Sequence, residues 1–564
     1  MNKGYKHSVL IVAVTACCSF STFARNGEDP TNSPFIQRAK GTIVENYDSQ
    51  IVQPTERYRN RFSDPEDHRN DWFNASPNSS EIHGSGIDFV YGHLMPQLKP
   101  QPIIVAVLDT GVDIEHKDLK NKLWTNEDEI PDNGIDDDGN GYIDDIHGWN
   151  FLGNSFGANI IYDTKEVTRE YKKYLRLQAA GYWIPPYMKA YYQNVEANYL
   201  YSVAYNQEAI VRLYDVIDQA NQHKANILAV IEHTDFSKKG LKELLTHSDP
   251  TVVTAAQELI TLFETFYSFD GLNRLESDIQ AAINYHYNLD FDPRRDIAVD
   301  NPYNPWERVY GNNDLLGGKE DHGTNVAGII AAERGNGVGI DGIADYAQIM
   351  VLRVSPHGDE RDKDVANAIR YAVDNGAKII NMSFGKGYSP RKYLVDNASL
   401  YAASQDVLLV HSAMNDSKDL DITVSYPTRF VPHYGAIPTW IEVGASSKFA
   451  DENFVLDISN FGQETVDIFA PGDDILSTGV DNDTSKFDGT SQSAAVVSGV
   501  AALVWSRYPD LSAIELKELL MNHSTKYPDL LVKKPSAPEE LVPFSSLSIS
   551  GGVVSAEAIF AELN

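Results

Sequence analysis

Ile103-Ile104-Val105-Ala106-Val107-Leu108 runs without a polar residue into Asp109-Thr110-Gly111. A continuous apolar run that stops at a tight turn predicts a strand buried on both faces, as in a parallel sheet. The pattern returns at Ile349-Met350-Val351-Leu352, at Lys378-Ile379-Ile380-Asn381-Met382 and at Val407-Leu408-Leu409-Val410. Helical spacing alternates with these runs, for example over 364–373. Strands alternating with helices imply an α/β fold with a parallel sheet. Functional groups in such folds collect at the carboxyl ends of the strands, which directs attention to Asp109.

At 564 residues the chain is too long for one ordinary domain, so two or three units are expected. Apolar residues make up 42% and charged residues 23%, an ordinary globular composition. The formal charge of −33 repels phosphate backbones and argues against nucleic acid as a partner. Residues 151–299 differ in kind, holding 5 of the 38 glycines but 14 of the 30 tyrosines. Pro185-Pro186 breaks an early helical pair, and Ser248-Asp249-Pro250 offers a helix start with proline in the first position. A largely helical insertion of four to six helices is the expectation. Residues 25–85 read as an N-terminal arm or short prosegment, and 86–150 with 300–564 as the α/β body.

Three stretches could carry chemistry. Asp109-Thr110-Gly111 ends the quoted strand. Asp321-His322-Gly323-Thr324-Asn325-Val326-Ala327-Gly328 and Gly489-Thr490-Ser491-Gln492-Ser493-Ala494-Ala495 each open a small-residue helix. A helix start offers unpaired N–H groups and partial positive charge to an oxyanion. Serine nucleophiles need a hydroxyl, an imidazole to carry its proton, and a carboxylate to orient the imidazole. Each stretch alone reads more simply as a turn or cap. Their joint occurrence, each with small neighbours, points to nucleophilic serine chemistry.

These stretches resemble the catalytic blocks of the subtilisin-like serine peptidases (subtilases, peptidase family S8), in particular bacterial exported members with a large insertion. Asn381-Met382-Ser383-Phe384-Gly385, Ala470-Pro471-Gly472 and Gly551-Gly552-Val553-Val554 extend the resemblance. It implies a subtilisin-like parallel sheet flanked by helices, a triad of Asp109, His322 and Ser491, and a protein or peptide substrate. It also implies that Ser383, Phe384 and Gly385 pair with the substrate backbone, and that Asn415 donates to the oxyanion beside the Ser491 N–H. No cofactor is implied for catalysis. Two departures stand out. Met414 replaces the usual glycine before Asn415, while Gln492 and Ala495 replace an apolar residue and a proline after Ser491. The 213 positions from Asp109 to His322 exceed the usual few tens, and the insertion accounts for the excess. The alternative function is a catalytically silent, calcium-stabilised surface binding protein on the same scaffold. Asp-Thr-Gly also marks aspartic peptidases, but those need a second such carboxylate, which the chain lacks.

Asp136-Asp137-Asp138-Gly139-Asn140-Gly141-Tyr142 resembles an EF-hand-type calcium loop, with Asp136, Asp138, Asn140, the Tyr142 carbonyl and Asp145 as ligands for a structural Ca²⁺. An acidic loop capping itself through Asx turns is the competing reading. Lys3 and Lys6, the apolar run Val9 to Cys18, and Ser21-Thr22-Phe23-Ala24 predict an export signal over 1–24. Val14-Thr15-Ala16-Cys17 equally suits lipid attachment at Cys17. Either way the destination is outside the cytoplasm: secreted, periplasmic or a surface lipoprotein. Both cysteines, Cys17 and Cys18, fall inside the signal, which excludes a thiol catalyst and any disulfide in the mature body. No later stretch is long and apolar enough to be transmembrane. Asp359, Glu360 and Asp362 suggest an acidic cleft wall that would favour basic peptides.

Overall fold

The computed structural model describes residues 71–564 except 79–80, 96–98, 267, 298, 303 and 319. The export signal, Cys17 and most of the expected arm lie outside these residues. The described chain forms two compact units, Val167–Phe291 and the combination of 71–166 with Asp292–Asn564. The insertion bounds read from sequence, 151 and 299, are wider than the helical unit, because 151–166 and the described residues from Asp292 onward belong to the other unit.

The larger unit is built on nine strands: β1 (Ile103–Asp109), β2 (Gly148–Asn150), β3 (Ala347–Arg353), β4 (Ile379–Met382), β5 (Leu408–Ser412), β6 (Trp440–Ser446), β7 (Ile468–Pro471), β8 (Thr525–Lys526) and β9 (Gly552–Val553). Their order is β8-β9-β7-β6-β5-β4-β1-β3-β2. All neighbours pair in parallel except β8 with β9. The fold is α/β with a parallel-dominated central sheet flanked by helices, as the repeated apolar runs predict.

Strand alternation divides these runs between two cores. Val105, Val107, Ile349, Val351, Ile379, Leu408 and Val410 face one side with the helices Asp321–Ala331 and Thr490–Arg507. Ala106, Leu108, Met350, Leu352, Ile380, Met382 and Leu409 face the other, with the helices Asp362–Asp374 and Lys392–Ser404. A strand with a core on each side has no use for polar alternation, which is why β1 reads as an unbroken apolar run. The register sets Asp109 opposite Arg353, at the carboxyl end where β1 emerges.

Part of the segment read as an arm is built into this unit. Phe73 is fully buried, and Trp72 Nε1 donates to the Asp473 carbonyl at 2.9 Å. Ser76 Oγ donates to Glu557 at 2.5 Å. Two aromatics in a polar stretch have no periodicity, and their partners lie hundreds of positions away, so composition alone reads the stretch as an arm.

The smaller unit is helical. Pro186 opens a helix of 43 residues, Pro186–Leu228, whose interior holds neither glycine nor proline. Tyr192, Val195 and Tyr199, then Leu213, Ala220 and Ile227, make its buried seam. The helix Pro250–Phe266 starts at the proline that marks it in the sequence and buries Val252, Ala256, Leu259, Ile260 and Phe263. The tyrosines of the smaller unit include stacked pairs, Tyr171 with Tyr199 at 4.5 Å and Tyr174 with Tyr192 at 4.9 Å. Among the described residues no helix is long and apolar enough to cross a membrane.

Leu108 is fully buried in the core on the outer side of β1. Leu108→Ala should therefore cost ~2–5 kcal/mol of stability, read as a lowered denaturant midpoint with native-like secondary structure.

Candidate active site

Asp109 is 2% exposed at the end of β1. The Thr110 N–H donates to its Oδ1 at 2.7 Å, and His322 Nδ1 lies 2.7 Å from the same oxygen. Gly111 turns the chain at φ +122°, where a side chain would run into the Leu315 carbonyl. The next helix docks against this turn, with Gly323 N–H donating to Thr110 Oγ1 at 3.2 Å. A Cβ on Gly323 would overlap the Gly111 carbonyl oxygen, so the small residue after His322 permits the approach. Burial alone lowers the His322 pKa, but the Asp109 charge, their hydrogen bond and Glu320 outweigh it, leaving a net rise above the ordinary 6.5. The Phe487 ring meets the imidazole edge-on at 5.7 Å.

Ser491 is the second residue of the buried helix Thr490–Arg507, so its N–H has no carbonyl of that helix to meet. Its Oγ donates to the Ser383 carbonyl at 3.1 Å, while Ser383 Oγ donates to the Ser491 carbonyl at 3.0 Å. Asn381 Nδ2 donates to Ser383 Oγ, and Ser498 Oγ to Asn381 Oδ1, each at 2.9 Å. These bonds tie β4 to the helix. Asn415 Oδ1 accepts from both Thr490 N–H and Thr490 Oγ1 at 3.0 Å. A backbone N–H can only donate, so this contact fixes the amide and assigns the other atom as Nδ2, a donor. Gly489, at φ +141°, leaves room for it, because a Cβ there would lie 2.7 Å from Asn415 Nδ2.

The sequence profile of the subtilase family of S8 peptidases matches residues 101–536. The chain belongs to the subtilase family. It is 35% identical over 37% of its length to a thermophilic serine proteinase of Bacillus sp. (strain AK1), covering 46% of that protein. It is 33% identical over 37% of its length to a cell wall-associated protease of Bacillus subtilis (strain 168), covering 22% of it. Subtilisin DY of Bacillus licheniformis is 31% identical over 37% of this chain and 72% of its own. The chain thus spans less than half the length of the first two relatives.

The departures in this subtilase have local partners. Gln492 Nε2 donates to Asn325 Oδ1 at 3.3 Å, joining the first turns of the two helices, and Ala495 is fully buried in the shared core. Ser383, Phe384 and Gly385 follow β4 outside the sheet ladders. Phe384 is buried, and its carbonyl faces His411 Nε2 at 2.9 Å. The other ring nitrogen of His411 meets Glu442 Oε1 at 2.8 Å. His411 is a site residue that sequence reasoning missed. Its one signal is a histidine directly after the apolar run Leu408-Leu409-Val410, in the same strand.

The acidic loop differs from its expected ligand set. Glu129, Asp138 and Asp145 bring one carboxylate oxygen each within 4.8 Å of one another. Glu129 precedes the loop pattern, and Asp136 is not part of this group. Asp136 Oδ2 instead accepts from Gly141 N–H at 2.9 Å, and Asn140 Oδ1 from Tyr142 N–H at 2.7 Å. Asn140 Nδ2 donates to Asp138 Oδ2 and Asp145 Oδ2 at 2.9 and 3.2 Å. The Tyr142 ring packs among Trp149, Phe151 and Tyr371. Burial raises the Asp145 carboxyl above its ordinary range.

The supposed acidic cleft wall is interior. Asp359, Glu360 and Asp362 are all buried. Asp359 pairs with Lys165 at 2.9 Å, and Asp362 with Lys386 at 2.8 Å. These carboxylates neutralise the half-buried Lys165 and the buried Lys386, so they give no reason to expect a preference for basic peptides.

The raised His322 pKa means that folding favours its protonated form. The resulting stabilisation is complete below pH 6.5 and is lost as the pH rises through the raised value. Asp109→Asn removes the charge behind the rise, so the His322 ring resonances should titrate at lower pH than in the parent. An unchanged midpoint would count against Asp109 as the cause.

Proposed function

We propose that this subtilase is an exported serine endopeptidase acting through Asp109, His322 and Ser491 and an acyl-enzyme. The observation that carries this reading is the 2.7 Å contact of His322 Nδ1 with buried Asp109, in a chain that also carries Ser491 at a helix start. With Nδ1–H held by Asp109, Nε2 is the basic nitrogen. The Ser491 hydroxyl leaves the Ser383 carbonyl, gives its proton to Nε2 and attacks the peptide carbonyl carbon. The oxygen then carries the negative charge and receives hydrogen bonds from Asn415 Nδ2 and the Ser491 N–H. Collapse expels the amine, which takes the proton from Nε2. Water repeats the sequence and frees the acid. The backbone of 383–385 is the surface along which the peptide would lie. Export, and lipid attachment at Cys17 as its variant, rest on the N-terminal pattern alone.

Ser491→Ala should abolish cleavage of fluorescent casein and labelling by an organophosphonate that the parent chain shows. Asn415→Ala should keep the labelling site but lower kcat by ~10²–10³. Because neutral imidazole is the base, kcat/KM should rise with pH through a midpoint above 6.5. A folded chain whose Ser491 stays unlabelled would favour the silent binding protein.

We further propose that Glu129, Asp138 and Asp145 hold a structural Ca²⁺, with Asn140 and the Asp136 loop around it. Three converging carboxylates of which two are buried suit a hard, oxygen-binding cation. The ion would hold the loop and takes no part in the chemistry. A calcium chelator should lower Tm, and Glu129→Gln should remove most of that response.

A further inference from the structure

The turn that carries Asn415 holds a side chain for which the reaction itself has no use. Met414 sits at φ +77°, a conformation that favours glycine. Its backbone is fixed there, with the N–H donating to Thr490 Oγ1 at 3.1 Å and the carbonyl accepting from Asn460 N–H at 2.9 Å. The side chain reaches across to Gly385. A Cβ on Gly385 would lie 2.7 Å from Met414 Sδ and 3.1 Å from Met414 Cγ. The same point is 2.8 Å from the Tyr426 carbonyl oxygen. Tyr426 in turn is bridged to Lys386, with hydrogen bonds of 2.8 and 2.9 Å in the two directions. Two backbone segments, 383–385 and 413–415, therefore meet through the Met414 side chain. The Tyr426 carbonyl and the Met414 thioether both lie against Gly385.

The peptidase reading of the site says what approaches this contact, and the inference rests on that reading. The scissile carbon must reach Ser491 Oγ while its oxygen reaches Asn415 Nδ2 and the backbone follows 383–385. The side chain of the residue that supplies this carbonyl is two bonds from the carbon. It is thus directed between the two segments, where Gly385 adds no atoms and Met414 adds four. We propose that Met414 fills the pocket for the residue on the acyl side of the cleaved bond and restricts the substrates to peptides with Gly, Ala or Ser there. A larger side chain would have to displace the thioether from its packing against Gly385 and the backbone beyond it.

The test uses fluorogenic peptide amides identical except for Ala, Leu or Phe at that position, with the full chain, Met414→Gly, Met414→Ala and Ser491→Ala. Glycine suits the φ of +77°, so the first variant keeps the turn; the second retains a Cβ as a milder change, and Tm is measured for both. The parent should cleave the Ala substrate at least ~10-fold better in kcat/KM than the Leu or Phe substrate, the scale of one or more methylenes in an apolar pocket. Met414→Gly should raise kcat/KM for Leu and Phe by ~10-fold or more, with Met414→Ala in between. A parent that takes Phe as well as Ala, or a profile that neither variant alters, overturns the proposal. Where no amide is cleaved, diphenyl phosphonates bearing the same side chains read the pocket directly. Labelling of the parent by the Ala reagent alone, and of Met414→Gly by the Ala and Phe reagents, supports the role of Met414. Equal labelling of the parent by both overturns it, with the peptidase reading left standing. No labelling of any folded form overturns that reading, and this inference falls with it.

Discussion

The contact between a nearly inaccessible carboxylate and a partly exposed imidazole is the constraint on which the rest of this structure depends. Asp109 is 2% exposed, and a charge so placed is costly unless donors reach it. The Thr110 N–H and His322 supply them at 2.7 Å each. That geometry demands a strand that ends at the right depth, a turn at Gly111 and a helix whose second and third residues are His322 and Gly323. The Thr110 hydroxyl then accepts the Gly323 N–H, so the turn after β1 also caps the helix. The apolar run of β1 is the support that makes the burial of Asp109 affordable, since Val105, Val107, Ala106 and Leu108 anchor it in both cores.

The second half of the site is fixed by hydrogen bonds rather than by packing. Asn415, Thr490, Ser491, Ser383, Asn381 and Ser498 form a connected set spanning β4, the turn after β5 and the helix Thr490–Arg507. Gln492 extends it to Asn325 on the other helix. The replacement of an apolar residue by Gln492 thus places a polar group where a polar partner waits, at little desolvation cost. Ala495 needs no such account, being a small residue in a core of small residues. The segment 383–385 is held from behind as well, through the Phe384 carbonyl and His411. A carbonyl accepts only, so the His411 Nε2 facing it is the donor, and the Nδ1 side meets Glu442 Oε1 at 2.8 Å.

Part of the charge in this chain is paired in the interior. Lys386 meets Glu166 at 3.2 Å and Asp362 at 2.8 Å, and Arg429 meets Asp467 at 2.8 Å. Arg294 pairs with Asp300 and Asp364 beside the Tyr310 hydroxyl. Breaking one partner of such a pair leaves an uncompensated buried charge, typically a larger loss than the pair's own net contribution. Burial likewise pushes the Glu360 carboxyl up to about 7, although Lys386 opposes the rise. An overall charge of −33 therefore says little about where a negative surface lies. The acidic residues most conspicuous in the sequence near the site are among the least accessible in the fold.

By itself the sequence determined the strands, the helices and the three chemical stretches at their ends. Each rests on local physics: a run buried on both faces has no polar alternation, and a helix start is marked by its first residues. Asp109, His322, Ser491 and Asn415 were singled out through the resemblance to the subtilase motifs, and each lies near the end of an element that announces itself. Tertiary structure alone decided what depends on distant partners. Trp72 and Phe73 enter the core only because residues hundreds of positions away form their pocket. Glu129 joins Asp138 and Asp145, although no spacing rule counts it, because the loop folds back over it. Asp359 and Asp362 pass from apparent cleft wall to interior counter-charge because Lys165 and Lys386 meet them there. Met414 reads in sequence as a bulky residue at a turn; only the fold sets its sulfur against Gly385. A one-dimensional pattern reports what an element needs from its own residues, whereas a side chain's surroundings are set by whichever other elements pack beside it.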